Sequence, residues 1–309
     1  MPLQTAAGYP QLASLASPEV WSPLLLEAFN EKTIVPEITS RDYIGEITDV
    51  GCKVYVRTVP AIASKPYTKG QAIVPEFIEP GLVEVEIDKA SYWCFAIDDI
   101  DRFQSDIDYL KAWTRAAAES QRVYVDSVVL ADIYDEAAST NKGTAAGAKS
   151  QNINLGAVGN PLALDADNII EFILNCGVVL DETNTPDDDR YIVLPPSLVA
   201  LLKSSDVKSA AVMGDAQSVL RTDKIGVLDR FTIYKSNLLS SQTESGARCW
   251  NVIFGHKSAV AFASQFVKSQ LFDKVESGFF AMARGLQVFG YKVVRPEQLG
   301  WAYVKIASP

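Results

Sequence analysis

Between two stretches of strand-like sequence, the chain places Pro60, Pro66, Pro75 and Pro80 with Gly70 and Gly81. Proline removes a ladder donor and glycine weakens a strand, so this segment is a poor part of any sheet. Its flanks differ. Lys53-Val54-Tyr55-Val56-Arg57-Thr58-Val59 is β-branched and aromatic, and Val83-Glu84-Val85-Glu86-Ile87-Asp88 alternates apolar with acidic. Both predict strands. Compact domains rarely keep so long an uncommitted connection unless it is functional or disordered. Yet Ile62, Tyr67, Ile73, Val74, Phe77 and Ile78 lie along it, which is not the composition of a solvated linker. An extended apolar hairpin without a core of its own is expected to meet a partner's surface.

A second unpartnered element precedes it. Ser17 is a good N-cap, Pro18 suits the first helical position, and Trp21, Leu24, Leu25, Ala28 and Phe29 then form one apolar stripe. A short helix of this kind must dock on the body or on a neighbour. From about 105 to 138 there is neither glycine nor proline, which predicts a helix about 50 Å long at 1.5 Å per residue. Its expected stripe is Leu110, Thr114, Ala117, Gln121, Tyr124, Val128 and Ala131, widened by Trp113 and Ile133. The Gly-rich stretch from Gly143 to Pro161 reads as a boundary between domains.

Beyond it, a helix capped by Asp165 or Asp167 is expected to bury Ile169, Ile170, Ile173 and Leu174. Tyr191-Ile192-Val193-Leu194 predicts a buried strand, and Pro195-Pro196 starts another helix with Leu198, Leu201 and Leu202 inward. Strands are predicted at Phe231 to Lys235 and Trp250 to Phe254. Leu286 to Val294 and Trp301 to Ile306 read as a strand pair.

Composition argues against catalysis. The chain of 309 residues has one histidine, His256, which removes most zinc sites and His-based acid–base pairs. His256 stands where a strand is expected to give way to a helix, and is read as a polar residue of that turn. Phosphate-binding, nucleophile-elbow and metalloprotease motifs are missing. The acidic run Asp98, Asp99, Asp101, Asp106 and Asp108 lacks the glycine and closing glutamate of a calcium loop, and Asp187-Asp188-Asp189 reads as a polar turn. No cofactor is expected. With 38 acidic against 28 basic side chains, the chain is not built to grip nucleic acid. No apolar run is long enough to span a membrane, no secretory leader is expected at the start, and the four scattered cysteines fit reduced thiols.

Taken in order, these elements resemble the major capsid protein of tailed bacteriophages. Tyr67-Thr68-Lys69-Gly70 before Val85 to Lys89 is similar to that family's E-loop and its descending strand. Phe231 to Leu239 is similar to the strand and Ser-Asn turn of its A-domain. Phe254 to Ala263 resembles the strand-to-helix turn where the chain returns, and Gly290 to Pro296 the ending strand. The resemblance implies an α+β chain with the HK97-like capsid fold, a long spine helix lying on a P-domain sheet. It divides the chain into an N-terminal arm at 1–50, the E-loop and flanking strands at 51–92, and a P-domain with the spine helix at 93–160. An A-domain at 161–262 and returning P-domain strands at 263–309 complete it.

The function implied is self-assembly into hexamers and pentamers of an icosahedral shell enclosing double-stranded DNA. Inter-subunit contacts are expected at Trp21, Leu25 and Phe29 of the arm and at Ile62, Tyr67, Lys69, Ile73, Phe77 and Ile78 of the E-loop. Further partners implied are a separate scaffolding protein, since no domain precedes the arm, together with a portal, decoration proteins and packaged DNA read without sequence specificity. The shell would be assembled in the bacterial host cytoplasm and persist as the virion capsid. An encapsulin-type cellular cage shares this fold, and a metal-dependent soluble enzyme built on the acidic run and His256 is the alternative from another class.

Overall fold

The computed structural model describes residues 33–40, 53–58, 64–72, 75, 77, 81–98, 109–205, 226–244, 246–272 and 280–307. The expected arm helix with Trp21, Leu25 and Phe29 lies outside them, as do Ile62, Ile73 and Ile78.

Two larger sheets carry the described body. Strands β1 (Lys53–Thr58) and β2 (Gly81–Glu86) pair antiparallel as a hairpin root. Then β3 (Lys89–Asp98) forms a three-stranded antiparallel sheet with β10 (Val260–Phe272) and β11 (Phe280–Val293), in the order β10-β11-β3. The larger sheet runs β4-β12-β9-β5-β7-β6, with β8 added to β9. Its strands are β4 (Leu162–Leu164), β5 (Arg190–Leu194), β6 (Val227–Leu228), β7 (Phe231–Lys235), β8 (Ser241–Glu244), β9 (Ala247–His256) and β12 (Leu299–Ile306). Among the described residues four α-helices accompany them: α1 (Val35–Ile38), α2 (Tyr109–Asp132), α3 (Ile169–Glu182) and α4 (Pro196–Ser204).

The period of two in β5 divides two cores. Ile192 and Leu194 face α3 and α4, against Phe172, Ile173, Leu180 and Leu198. Tyr191 and Val193 face the other way and join Val125, Val129 and Leu130 of α2, and Ile133 just past its end, with Val260, Phe262 and Phe289 of the smaller sheet. Every residue of β5 is therefore buried, as expected of a strand covered on both faces. One core thus holds α2, the smaller sheet and the larger sheet together.

Several expectations need correction. Helix α2 ends at Asp132 rather than near 138, and the chain tightens into turns until Ala138 N–H donates to Pro296 C=O. Of the expected stripe, Gln121 and, just past the helix end, Ile133 are buried, but Val125, Val129 and Leu130 complete the buried face, whereas Tyr124 and Ala131 are exposed. The long apolar run in this helix fits two adjacent stripes, and packing selects the second. Asn168 stands at the first boundary of α3 without a side-chain cap bond, and Asp165, one of the two expected caps, accepts from the Asp167 and Asn168 amides in the turn that leads into it. Leu174 is exposed. Strands β11 and β12 do not pair. They belong to different sheets, separated by the Pro296–Gln298 turn. His256 is followed by one 3₁₀ turn, Lys257–Ala259, and then by β10, not by a helix.

The Gly-rich stretch is packed rather than loose. Gly156 has φ +79° and touches β12 so closely that an added Cβ would stand 2.0 Å from Tyr303 O, while Leu155 C=O accepts from Tyr303 N–H.

Candidate functional site

The hairpin that the sequence leaves without a core has one at its root. Val56, Val85 and Ile87 are buried against Ala261, Ala263 and Val294 of the chain's own body. Gly290 permits this approach, since a Cβ there would meet Glu86 O at 2.1 Å. The expectation of a partner surface therefore does not apply to the root. On the opposite face of the hairpin's base, Lys53 pairs with Glu84 at 2.5 Å and Glu86 at 3.4 Å, and the Glu84 hydrogen bond and charge hold its ammonium protonated well above the usual range.

Beyond the root the side chains leave the body. Tyr67, Lys69 and Phe77 are all exposed, Phe77 at 96%. The bonds that shape this stretch are local: Gln71 N–H donates to Thr68 C=O, and Thr68 N–H to Gln71 Oε1. Gly70, at φ +90°, makes the turn possible. Tyr67, Lys69 and Phe77 thus share one projecting segment, and no buried pocket gathers them.

Below the root a groove of about 580 Å³ separates the hairpin, the end of α2 and β11. It is held by charges. Lys89 Nζ donates to Tyr291 Oη at 2.6 Å and lies over that ring, while Tyr291 Oη donates to Asp132 Oδ2 at 2.5 Å. Burial and the Asp132 carboxylate push the Tyr291 hydroxyl's pKa well up. Lys292 pairs with Glu136 at 2.5 Å.

Sequence reasoning missed the anchor that precedes the hairpin. Ile34, Val35 and Ile38 are buried, and Asp126 on α2, only 2% exposed, accepts from the Ile34 amide at 2.5 Å and the Val35 amide at 3.3 Å. Ser40 then bridges to Ala261, its N–H donating to Val260 C=O and its C=O accepting from Phe262 N–H. The signal was a single Asp126 inside the apolar run Val123 to Leu130. A charge there needs backbone donors.

Elsewhere the acidic turn is more than a turn. Arg190, fully buried, lies 2.8 Å from Asp181 and 2.9 Å from Asp187, and Arg230 meets the same two carboxylates at 2.7 and 2.6 Å. Burial alone would raise the Asp181 pKa, but the two guanidiniums hold it below the usual carboxylate value. This quartet ties the end of α3 and the turn after it to β5 and to the β6–β7 turn, and fits structure rather than catalysis. His256 Nδ1 accepts from Ser258 N–H, and burial lowers its pKa. Among the described residues no group of three or more His, Cys, Asp or Glu is placed to hold a metal ion, and no helix is long and apolar enough to cross a membrane.

A family model described as phage capsid protein matches residues 84–296. No curated protein sequence matches the chain. Among solved structures, one from Mycobacterium phage Che8 shares 28% identity over 93% of this chain and 97% of its own, with a TM-score of 0.74. The capsid of Cyanophage P-SCSP1u aligns at a TM-score of 0.69 with 17% identity, covering 99% and 94% of the two chains. That of Cyanophage Pam1 aligns at 0.66 with 12% identity over 98% and 100%.

Proposed function

The chain belongs to the phage capsid protein family, and on that premise we propose that its copies close into hexamers and pentamers of an icosahedral shell around double-stranded phage DNA. It is a structural protein of the virion capsid, with the HK97-like fold, and it self-assembles. The observation that carries the finer reading is the hairpin, whose root is fastened to the chain's own sheet while its tip holds Tyr67 and Phe77 out in solvent. Rigid attachment with an exposed aromatic end is what a contact made with another subunit requires. Tyr67, Lys69 and Phe77, with Ile62, Ile73 and Ile78 of the same loop, are assigned to that contact, and Trp21, Leu25 and Phe29 to a second one made by the arm.

In this reading the chain divides into an arm at 1–50, whose anchor is 33–40, and a hairpin at 51–92. The P-domain at 93–160, the A-domain at 161–262 and the returning strands at 263–309 make the body. The net charge of −10 would keep the shell wall from adhering to DNA. A scaffolding protein, a portal and decoration proteins would complete assembly in the host cytoplasm. Electron microscopy of the concentrated protein tests the reading. Closed shells tens of nanometres across are expected, and a uniform small oligomer under assembling conditions would overturn it.

A further inference from the structure

Helix α2 packs on the smaller sheet, and its two flanks are unlike. On the flank toward β10, Thr33 stands beside Arg122, Val125 and Asp126, at the anchor described above. On the flank toward β3, a groove of about 540 Å³ opens between helix and strand. Trp93 and Phe95, half-buried and stacked with ring centres 5.6 Å apart, form one wall. Ala117 and Tyr124 of α2 form the other, Tyr124 at 51% exposure. The amide on its floor is already satisfied, since Gln121 Nε2 donates to Ser91 C=O and Oγ, both at 2.9 Å. No charged residue lines it, unlike the groove below the hairpin root. An aromatic, uncharged groove open to solvent suits an apolar occupant.

We propose that this groove receives the N-terminal arm of a neighbouring copy, with Trp21, Leu24, Leu25, Ala28 and Phe29 laid along it as the apolar face of one helix. The proposal rests on the shell-forming reading above and names the surface that the arm meets. Charge selects the arm. Its stripe is uncharged, Glu27 falling on another side of the predicted helix, whereas the hairpin tip would bring Lys65 and Lys69, whose ammoniums would have to shed water there. Length agrees as well. Trp21 to Phe29 covers about 12 Å at 1.5 Å per residue, and Ala117 to Tyr124 about 10 Å. Position then selects a neighbour's arm over the subunit's own. Thr33, where the described residues begin, lies on the far flank of α2. Phe29 is four residue steps from it, at most about 14 Å of chain. Half the girth of a helix roughly 11 Å across is about 17 Å, before the thickness of the arm is counted. The groove is thus left to another subunit's arm.

Disulfide trapping tests this in a Cys52→Ser/Cys94→Ser background, where the remaining thiols, Cys176 and Cys249, are buried. Shells co-assembled from an Ala28→Cys chain and a Tyr124→Cys chain are expected to give a covalent mixed dimer on mild oxidation, and shells of either chain alone none. Ser120→Glu, in the groove and exposed in the subunit, is expected to leave subunit melting unchanged. It should lower shell yield as far as removal of residues 1–32 does, with no further loss when the two changes are combined. Shells that form yet give no mixed dimer would overturn the docking and leave the capsid reading intact, as would losses of yield that simply add. A mixed dimer through Lys69→Cys in place of Ala28→Cys would give the groove to the hairpin tip. A disulfide closed within a single chain carrying both Ala28→Cys and Tyr124→Cys, without the mixed dimer, would give it to the subunit's own arm. Either result overturns the proposal. If the parent chain forms no particle at all, the shell reading falls and this contact with it.

Discussion

A carboxylate shut between two helices costs stability unless backbone donors meet it, and Asp126 is met by two, the Ile34 and Val35 amides. Burial still raises its pKa above the ordinary 3.8, and the amides offset only part of that. The folded state therefore binds this proton more tightly than the unfolded chain does. The stability linked to it is complete below the ordinary value and is lost as pH rises through the raised one. Asp126→Asn keeps an acceptor without the charge. Its subunit is expected to melt at or above the wild-type temperature at neutral pH, with that share of the pH dependence gone. Asp126→Ala leaves both amides unmet and is expected to cost about 1 kcal/mol, as lost helix caps do. Melts of the three proteins from acid to neutral pH decide the matter. An Asp126→Asn subunit much weaker than wild type at neutral pH would show that the charge itself holds the anchor.

Among elements, the hairpin divides at its root, and a substitution should report on which side it falls. Phe77→Ala is expected to leave subunit melting unchanged while shell yield drops, because the ring touches solvent rather than the chain's own core. A lowered melting temperature with normal shells would place Phe77 in an intramolecular core. Much of this was legible in sequence. The proline spacing announced the hairpin and the alternation around Val83 its second strand, while Tyr191 to Leu194 read as the buried strand it is. What escaped were facts set by distant partners. Nothing local shows that Val56 and Val85 would find Ala261 and Ala263. Nor does local pattern decide whether Tyr124 or Val125 faces inward when both are apolar and one helical step apart. Strands β11 and β12 both look like strands, but only the three-dimensional path sends them to different sheets. Of the candidate contact residues, Tyr67, Lys69 and Phe77 are described, and all three are exposed.

For the whole molecule, the arm and the body should be separable. Removing residues 1–32 keeps Ile34, Val35, Ile38 and their Asp126 partner, so the truncated subunit is expected to be soluble and to melt as the full chain does. Its shell yield should fall, since Trp21, Leu25 and Phe29 are gone. Sedimentation of assembled material beside a subunit melt tests this, and normal shells from the truncated chain would make the arm dispensable. The anchor also has a mechanical meaning. Tension reaching the subunit through its arm arrives first at a single helical turn held by two amide hydrogen bonds to Asp126 and by the Ser40 bridge to β10, placed in series with the smaller sheet. In a series the weakest link yields, so an overloaded subunit would slip its tether before its sheets came apart. A shell wall made of such units would fail by letting go of its neighbours rather than by denaturing, and a released subunit would still be able to grip again.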